Sequence, residues 1–436
     1  MANISVSSAP VESPAAVGEQ KSYAGPLAVV TTLFFMWGFL TCLNDILVPH
    51  LKSIFDLNYA RVMLIQFAFF GAYFIFSIPS ARIVDLIGYQ RSMVLGLLTM
   101  GVGAFLFVPA ASVPSYPLFL GALIVLAAGI TCLQVAANPY VTVLGKPETA
   151  SSRLNLTQAF NSLGTFLAPF FGGILILSAA PKAMNEIRAM TPDALQAYRL
   201  HEAATVKTPY VGLGIALVLL AIAIATFKLP KIEHAQRKVG EKVNDSIWRH
   251  PSLIFGAIAI FVYVGAEVSI GSFLVNYFSQ PEIGGLTERV AASFVAFYWG
   301  GAMVGRFIGS GLLQKVSTRR LLGVCAVCAA ALVGISMLSS GHLAMWTIIL
   351  VGFFNSIMFP SIFTLGVAEL GPLTGDGSGI MIMAIVGGAI IPLAQGWIAD
   401  KIGIHHAFFL PVICYLYILF FALSGSKPNS QRLAKA

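Results

Sequence analysis

The chain has 436 residues, 57% of them hydrophobic and only 10% charged, with a mean hydropathy of +0.84. A soluble protein carries about 25% charged residues, so most of this surface must face something other than water, which excludes a string of ordinary soluble domains. The net charge of +8 is spread over many loops instead of gathered on one face, which argues against a nucleic-acid partner.

Residues 1–25 are rich in Ser, Ala and Pro and lack an apolar core, so they read as a disordered tail and not as a secretory signal. A helix needs about 20 apolar residues to cross a bilayer. Runs of that kind fall near 26–49, 60–81, 92–110, 117–144, 154–179 and 208–228. After a basic stretch at 229–251 they resume near 252–279, 291–313, 320–339, 343–367, 375–398 and 406–424. The expectation is an all-α integral membrane protein of 12 spans. A six-helix half at 26–228 and another at 252–424 are joined by the 229–251 linker, and 425–436 forms a second tail. In the long loop after the fifth span, Thr191 followed by Pro192 and Asp193 predicts the start of a short surface helix.

Twelve spans put both termini on one side. Loops on that side hold 18 Lys and Arg residues against 8 on the other, so the termini are expected in the cytoplasm of a cell (inner) membrane. The halves also repeat. ANPYVTVLG (137–145) aligns with MFPSIFTLG (358–366), Gly164 and Pro169 align with Gly387 and Pro392, and Gly38 aligns with Gly265, at offsets of 221, 223 and 227. Parallel repeats of this kind belong to carriers that rock around a midplane site.

Polar residues inside the spans mark that site. Asp45 is the only formal charge between Pro26 and Val48, and a carboxylate facing lipid costs about 2.5–3.5 kcal/mol on insertion scales. It is therefore expected to face the bundle interior, with Trp37, Thr41 and Asn44 on or beside the same helical face. Later spans add Gln134 and Asn138, Gln158 and Asn161, Glu267 one turn after Tyr263, then Asn276, Tyr298 and Asn355. Neutral amides offer both donors and acceptors, which suits the hydroxyls of a neutral sugar; tyrosine and tryptophan rings suit its apolar face. Sequence position places Arg306 near a cytoplasmic span end, leaving no basic residue well inside a span for an anionic substrate. The five cysteines lie in apolar runs and read as packing thiols; Cys325-x-x-Cys328 has neither a second pair nor a nearby histidine, so no metal site is expected.

NDILVP (44–49), LQVAANPYVTVLG (133–145), RLNLTQAFNSLG (153–164), TPYVGL (208–213), YVGAEVSIGSFLVNY (263–277), GRFIG (305–309) and FPSIFTLG (359–366) together resemble the major facilitator superfamily. Within it, the chain is most similar to the fucose–galactose–glucose:proton symporters, over roughly residues 26–424. PSARIVDLIGYQR (79–91) is similar to the superfamily's cytoplasmic loop motif, with Ser80 where a Gly is usual. That resemblance implies a conformational gating role for Asp85 and Arg91, which we extend to Arg306. It also implies that Asp45 is a protonation site facing the sugar. The fucose permease branch carries a glutamate where this chain has Gln134, which cannot titrate, so Asp45 acts alone or with Glu267 as the second acid. The resulting expectation is proton-coupled uptake of a neutral hexose of the glucose or galactose kind by a monomer in lipid, with no cofactor. Sodium-coupled sugar symport is the runner-up, and a drug/proton exporter of the same fold stands behind it. Enzyme activity ranks last, since no nucleophile or His/Cys/Asp cluster adjoins a span.

Overall fold

The computed structural model describes residues 23–55, 59–113, 115–175, 186, 189–230 and 245–427, leaving out the side chains of 43–55, 59–63, 169–175, 202 and 203. The expected N-terminal tail, most of the linker and the end of the C-terminal tail fall outside the described residues, as do the side chains of Asn44 and Asp45.

The described chain is helical throughout. The first half contains α1 (Ala24–Phe55), α2 (Tyr59–Ile87), α3 (Tyr89–Ser112), α4 (Tyr116–Val143), α5 (Ala150–Leu175), the surface helix α6 (Pro192–Thr205) and α7 (Lys207–Thr226). The second half contains α8 (Pro251–Phe278), α9 (Glu288–Leu312), α10 (Thr318–Leu338), α11 (Gly341–Asn355), α12 (Met358–Val367), α13 (Thr374–Met383), α14 (Gly387–Ile402), the single turn α15 (Ile404–Ala407) and α16 (Phe409–Phe420). At the start of α6 the Ala194 N–H donates to Thr191 Oγ1 at 3.4 Å, the cap the sequence predicts.

Among the described residues, eleven stretches are long and apolar enough to cross a membrane. The fifth expected span, α5, is not among them: its end at 176–179 lies outside the described residues, and Ser151, Asn155, Gln158 and Ser162 put a polar row along its first half. Two expected spans are broken. The tenth bends at Ser356–Ile357 between α11 and α12, and the eleventh passes through a 3₁₀ turn at Ala384–Val386 between α13 and α14. The first break lies four residues ahead of Pro360, whereas Pro392 sits inside α14, six residues past the second. Proline removes the hydrogen bond to the carbonyl four residues back, so an apolar run can stay continuous in sequence while its helix does not.

The repeat read from the sequence has a packing counterpart. In lipid there is no hydrophobic drive between helices, so small residues that admit a close neighbour set the contacts. A Cβ on Gly38 would lie 2.1 Å from the Asn161 carbonyl oxygen, and one on Gly164 would lie 2.3 Å from that of Phe35. In the second half, a Cβ on Gly265 would lie 2.3 Å from Ile391 Cγ1, and one on Gly387 would lie 2.0 Å from the Phe261 carbonyl oxygen. The seams α1/α5 and α8/α14 are thus both closed by paired glycines pressed against the facing helix, with a backbone carbonyl opposite Gly38, Gly164 and Gly387 and the Ile391 side chain opposite Gly265. Gly387→Val is expected to cost at least about 1–3 kcal/mol through overpacking and to reduce the folded protein recovered from membranes. Gly300→Ala, with nothing within 4 Å, should not. Monodispersity on size exclusion of the two variants checks the contrast.

Candidate functional site

A seam of hydrogen bonds joins the halves along one face of α5. Ser151, Asn155, Gln158 and Ser162 recur at helical spacing, so they share that face. The Ser151 hydroxyl lies 2.6 Å from Thr364 Oγ1 and accepts from Thr318 Oγ1 at 2.9 Å. Ser152 donates to the Ser310 carbonyl at 2.7 Å, and Asn155 Nδ2 to the Arg306 carbonyl at 2.7 Å. Higher up, Arg306 Nη1 donates to Ser162 Oγ and to the Gln158 carbonyl. From Ser151 to Ser162 is eleven residues, about 16 Å of helix, or roughly half of a hydrocarbon core about 30 Å thick. The seam therefore closes the end of the bundle where α5 begins and stops near mid-depth.

Arg306 caps it. Counting residues places this side chain near a span end, but its guanidinium reaches inward: only 12% exposed, it lies 3.9 Å from Glu267 Oε1, itself 13% exposed. Its Nε donates to the Ser356 carbonyl at 3.2 Å. That acceptor is open because Pro360, four residues on, has no N–H to offer it. The equivalent proline of the first half does the same. Pro139 leaves the Val135 carbonyl without its helical donor, and Ser378 Oγ supplies one at 3.0 Å from the other half.

Around Glu267 the second half is a phenol-and-amide network. Tyr263 donates to Glu267 Oε1 at 2.8 Å and shares its hydroxyl with the Asn355 carbonyl at 3.1 Å. Asn355 Nδ2 donates to the Tyr298 hydroxyl at 2.8 Å, and the Tyr415 hydroxyl stands beside the Asn355 amide. In the first half, Gln134 Nε2 donates to Tyr73 Oη at 2.7 Å, with the Trp37 indole against the same hydroxyl.

Much of this polarity is unspent. Gln134 Oε1, both amide atoms of Asn138, Asn155 Oδ1, Gln158 Nε2, Asn355 Oδ1 and Ser361 Oγ are buried without a protein hydrogen-bond partner. Each such group costs about 1–3 kcal/mol if nothing meets it, and native interiors satisfy them with water or ligand. The set is neutral, mixed in donors and acceptors, and flanked by one compensated ion pair. It can bind a neutral polyol, whereas an isolated anion would have to compete with Glu267 for Arg306.

The other candidates separate. Asn161 spends its Nδ2 on the Phe34 carbonyl at 2.9 Å in the glycine seam, and the Thr41 hydroxyl bonds the Trp37 carbonyl of its own helix at 2.9 Å. Asn276 is exposed, nine residues or about 13 Å along α8 from Glu267. A Cβ on Gly375, in the first turn of α13, would meet Asp85 Oδ1 at 2.6 Å, so this acid approaches the positive end of a helix of the other half. Arg91 is exposed on α3. Asn44 and Asp45 lie in α1 with side chains outside the described residues. Sequence reasoning passed over Tyr73, Asn155, Ser356 and Tyr415. Asn155 had a signal, four residues from Ser151 and three from Gln158, whereas Tyr73 reads as one more aromatic in an apolar run. No group of three or more His, Cys, Asp or Glu able to hold a metal occurs among the described residues.

Comparison with known proteins follows the same lines. Residues 29–385 match the profile of the Major Facilitator Superfamily. The chain is 55% identical over 408 residues to a glucose/galactose transporter of Brucella abortus, covering 94% of this chain and 96% of that protein. It is 37% identical over 413 residues to the L-fucose-proton symporter of Escherichia coli, covering 93% and 94%. A crystal structure of the Escherichia coli fucose:proton symporter superposes with a TM-score of 0.86 at 35% identity, covering 93% of this chain and all of that one.

Proposed function

Because the chain belongs to the Major Facilitator Superfamily, we propose that it is a carrier and not an enzyme, one that takes up a neutral hexose of the glucose or galactose kind together with a proton. The observation that carries this reading is the set of buried, neutral amide and hydroxyl atoms left unpaired in both halves, those of Gln134, Asn138, Gln158 and Asn355 among them. A sugar hydroxyl is donor and acceptor at once, and this lining is too. Support for the substrate class comes from the glucose/galactose transporter at 55% identity, and for the coupling ion from the fucose–proton symporter at 37%.

In this reading Gln134, Asn138, Gln158 and Asn355 meet sugar hydroxyls. Trp37 and Tyr298 frame the ring, and Thr41, Asn44, Asn161 and Asn276 hold secondary positions on the same spans. Asp45 and Glu267 carry the coupled charge. Asp85, Arg91, Arg306 and the α5 seam gate the cytoplasmic side, which is the closed end, and so the carrier faces outward. Both termini and the 229–251 linker are cytoplasmic in a cell (inner) membrane, and the working unit is a monomer with no cofactor.

Alternating access then follows from charge. With the proton aboard and sugar bound, the site carries less net negative charge, and burying it costs less; the α5 seam can break and the outer side close. Release of proton and sugar to the cytoplasm resets the carrier. Expression in a cell lacking hexose transport should give uptake of labelled glucose that unlabelled galactose competes, that dissipating the proton gradient abolishes, and that removing sodium at fixed pH leaves unchanged. Dependence on sodium instead would transfer the coupling to the runner-up ion.

A further inference from the structure

The α8/α14 seam does not end at its glycines. Its register is set by the close approaches of Gly387 to Phe261 and Gly265 to Ile391, with Gly396 in ordinary contact with the tip of the Phe273 ring further along. Steps of four residues along two parallel helices put Ser269 level with Gln395. Both are completely buried, and Ser269 Oγ, Gln395 Nε2 and Gln395 Oε1 have no protein hydrogen-bond partner. Helical serines and threonines ordinarily return their proton to a carbonyl of their own helix, as Thr131 and Ser162 do here; Ser269 does not.

Packing does not require these two side chains. At the repeat offsets of 227 and 223 their counterparts in the first half are Cys42 and Gly172, so the same seam is built there with neither a hydroxyl nor an amide at these positions. Nor does the Glu267 site account for them, since Ser269 is two residues further along α8 and about 200° around it. The free atoms comprise an amide with two donors and an acceptor, plus a hydroxyl able to act as either. No group of three or more His, Cys, Asp or Glu able to hold a metal occurs among the described residues, and the amide donors would oppose a cation. A guest that gives and receives at one oxygen fits.

We propose that Ser269 and Gln395 form a hydroxyl-binding site inside the C-terminal half, apart from the sites already described. The hydroxyl comes from a bound water or from the transported sugar, and only the second source rests on the sugar reading above. The test uses the full-length protein with Ser269→Ala, the volume-conserving Gln395→Met and the double substitution, Ser269→Cys standing in if Ser269→Ala does not reach the membrane. Melting temperature without sugar, and KM for glucose, galactose and their monodeoxy analogues, are measured together.

Water at the site predicts that each single substitution lowers the melting temperature. The double variant then falls by less than the sum, because removing both partners orphans neither, and sugar selectivity stays put. A sugar hydroxyl predicts unchanged melting but a KM about tenfold higher, with no change for the one deoxy analogue lacking that group. The proposal is overturned if single substitutions alter neither quantity, or if melting effects are additive with selectivity intact. Should transport prove absent altogether, the melting measurement still decides whether the site exists.

Discussion

Arg306→Leu is expected to lower the initial rate of sugar uptake by about two to three orders of magnitude, and to destabilise the protein in the absence of sugar. Removing one partner of a buried ion pair strands the other, at about 3–5 kcal/mol. The stranded group is Glu267, which keeps only the Tyr263 hydroxyl at 2.8 Å. The same substitution removes the donors to Ser162, Gln158 and Ser356, so the upper end of the seam between halves opens as well. Adding Glu267→Gln removes the stranded charge. The double variant should therefore recover most of the lost melting temperature while transport stays low. Thermal unfolding and proteoliposome uptake of both singles and the double form the cycle that separates the two effects. Full rescue of transport by Glu267→Gln would show that Arg306 merely neutralises charge and gates nothing.

The second large effect is at Asp45. Asp45→Asn keeps the shape and the hydrogen-bonding capacity of the side chain but fixes its charge at zero. Sugar exchange between loaded vesicles and medium should continue, since sugar contacts are untouched. Concentrative uptake should collapse to equality of inside and outside concentration, since nothing then ties the cycle to the proton gradient. Counterflow and accumulation assays on one preparation read both quantities. Unchanged accumulation would leave Glu267 as the coupling acid, and Glu267→Gln would then be the variant that loses it.

The spans were legible because crossing hydrocarbon demands a length and an apolarity that few other segments have. Glycine offsets revealed the repeat but not the seams, although a residue without a Cβ in a lipid-bathed helix usually has a neighbour pressed against it. The amides were legible as a set but not one by one. Gln158 and Asn161 stand three residues apart with the same chemistry. Yet Gln158 keeps a free buried Nε2, while Asn161 bonds the Phe34 carbonyl. Nothing local distinguishes an amide that waits for a ligand from one that serves its neighbour. Arg306 was misplaced in depth because counting residues fixes a backbone position, whereas a guanidinium acts several ångströms from its own Cα. The breaks at 356–357 and 384–386 were hidden for a related reason: the hydropathy of an apolar run carries no record of where its carbonyls lose their donors. Pro360 was in view, but not which donor would replace its missing N–H. At Ser356 that donor is Arg306, so the bend in the tenth span and the clamp between halves are one feature.

Inward movement of a neutral sugar should carry a proton with it. Purified protein in sodium-free vesicles, without any imposed gradient, is given galactose or glucose while external pH is followed in a weakly buffered medium. A sugar-dependent rise in external pH is expected, which a proton-conducting uncoupler abolishes and Asp45→Asn does not show. Sugar entry at the same rate with no such rise would contradict it.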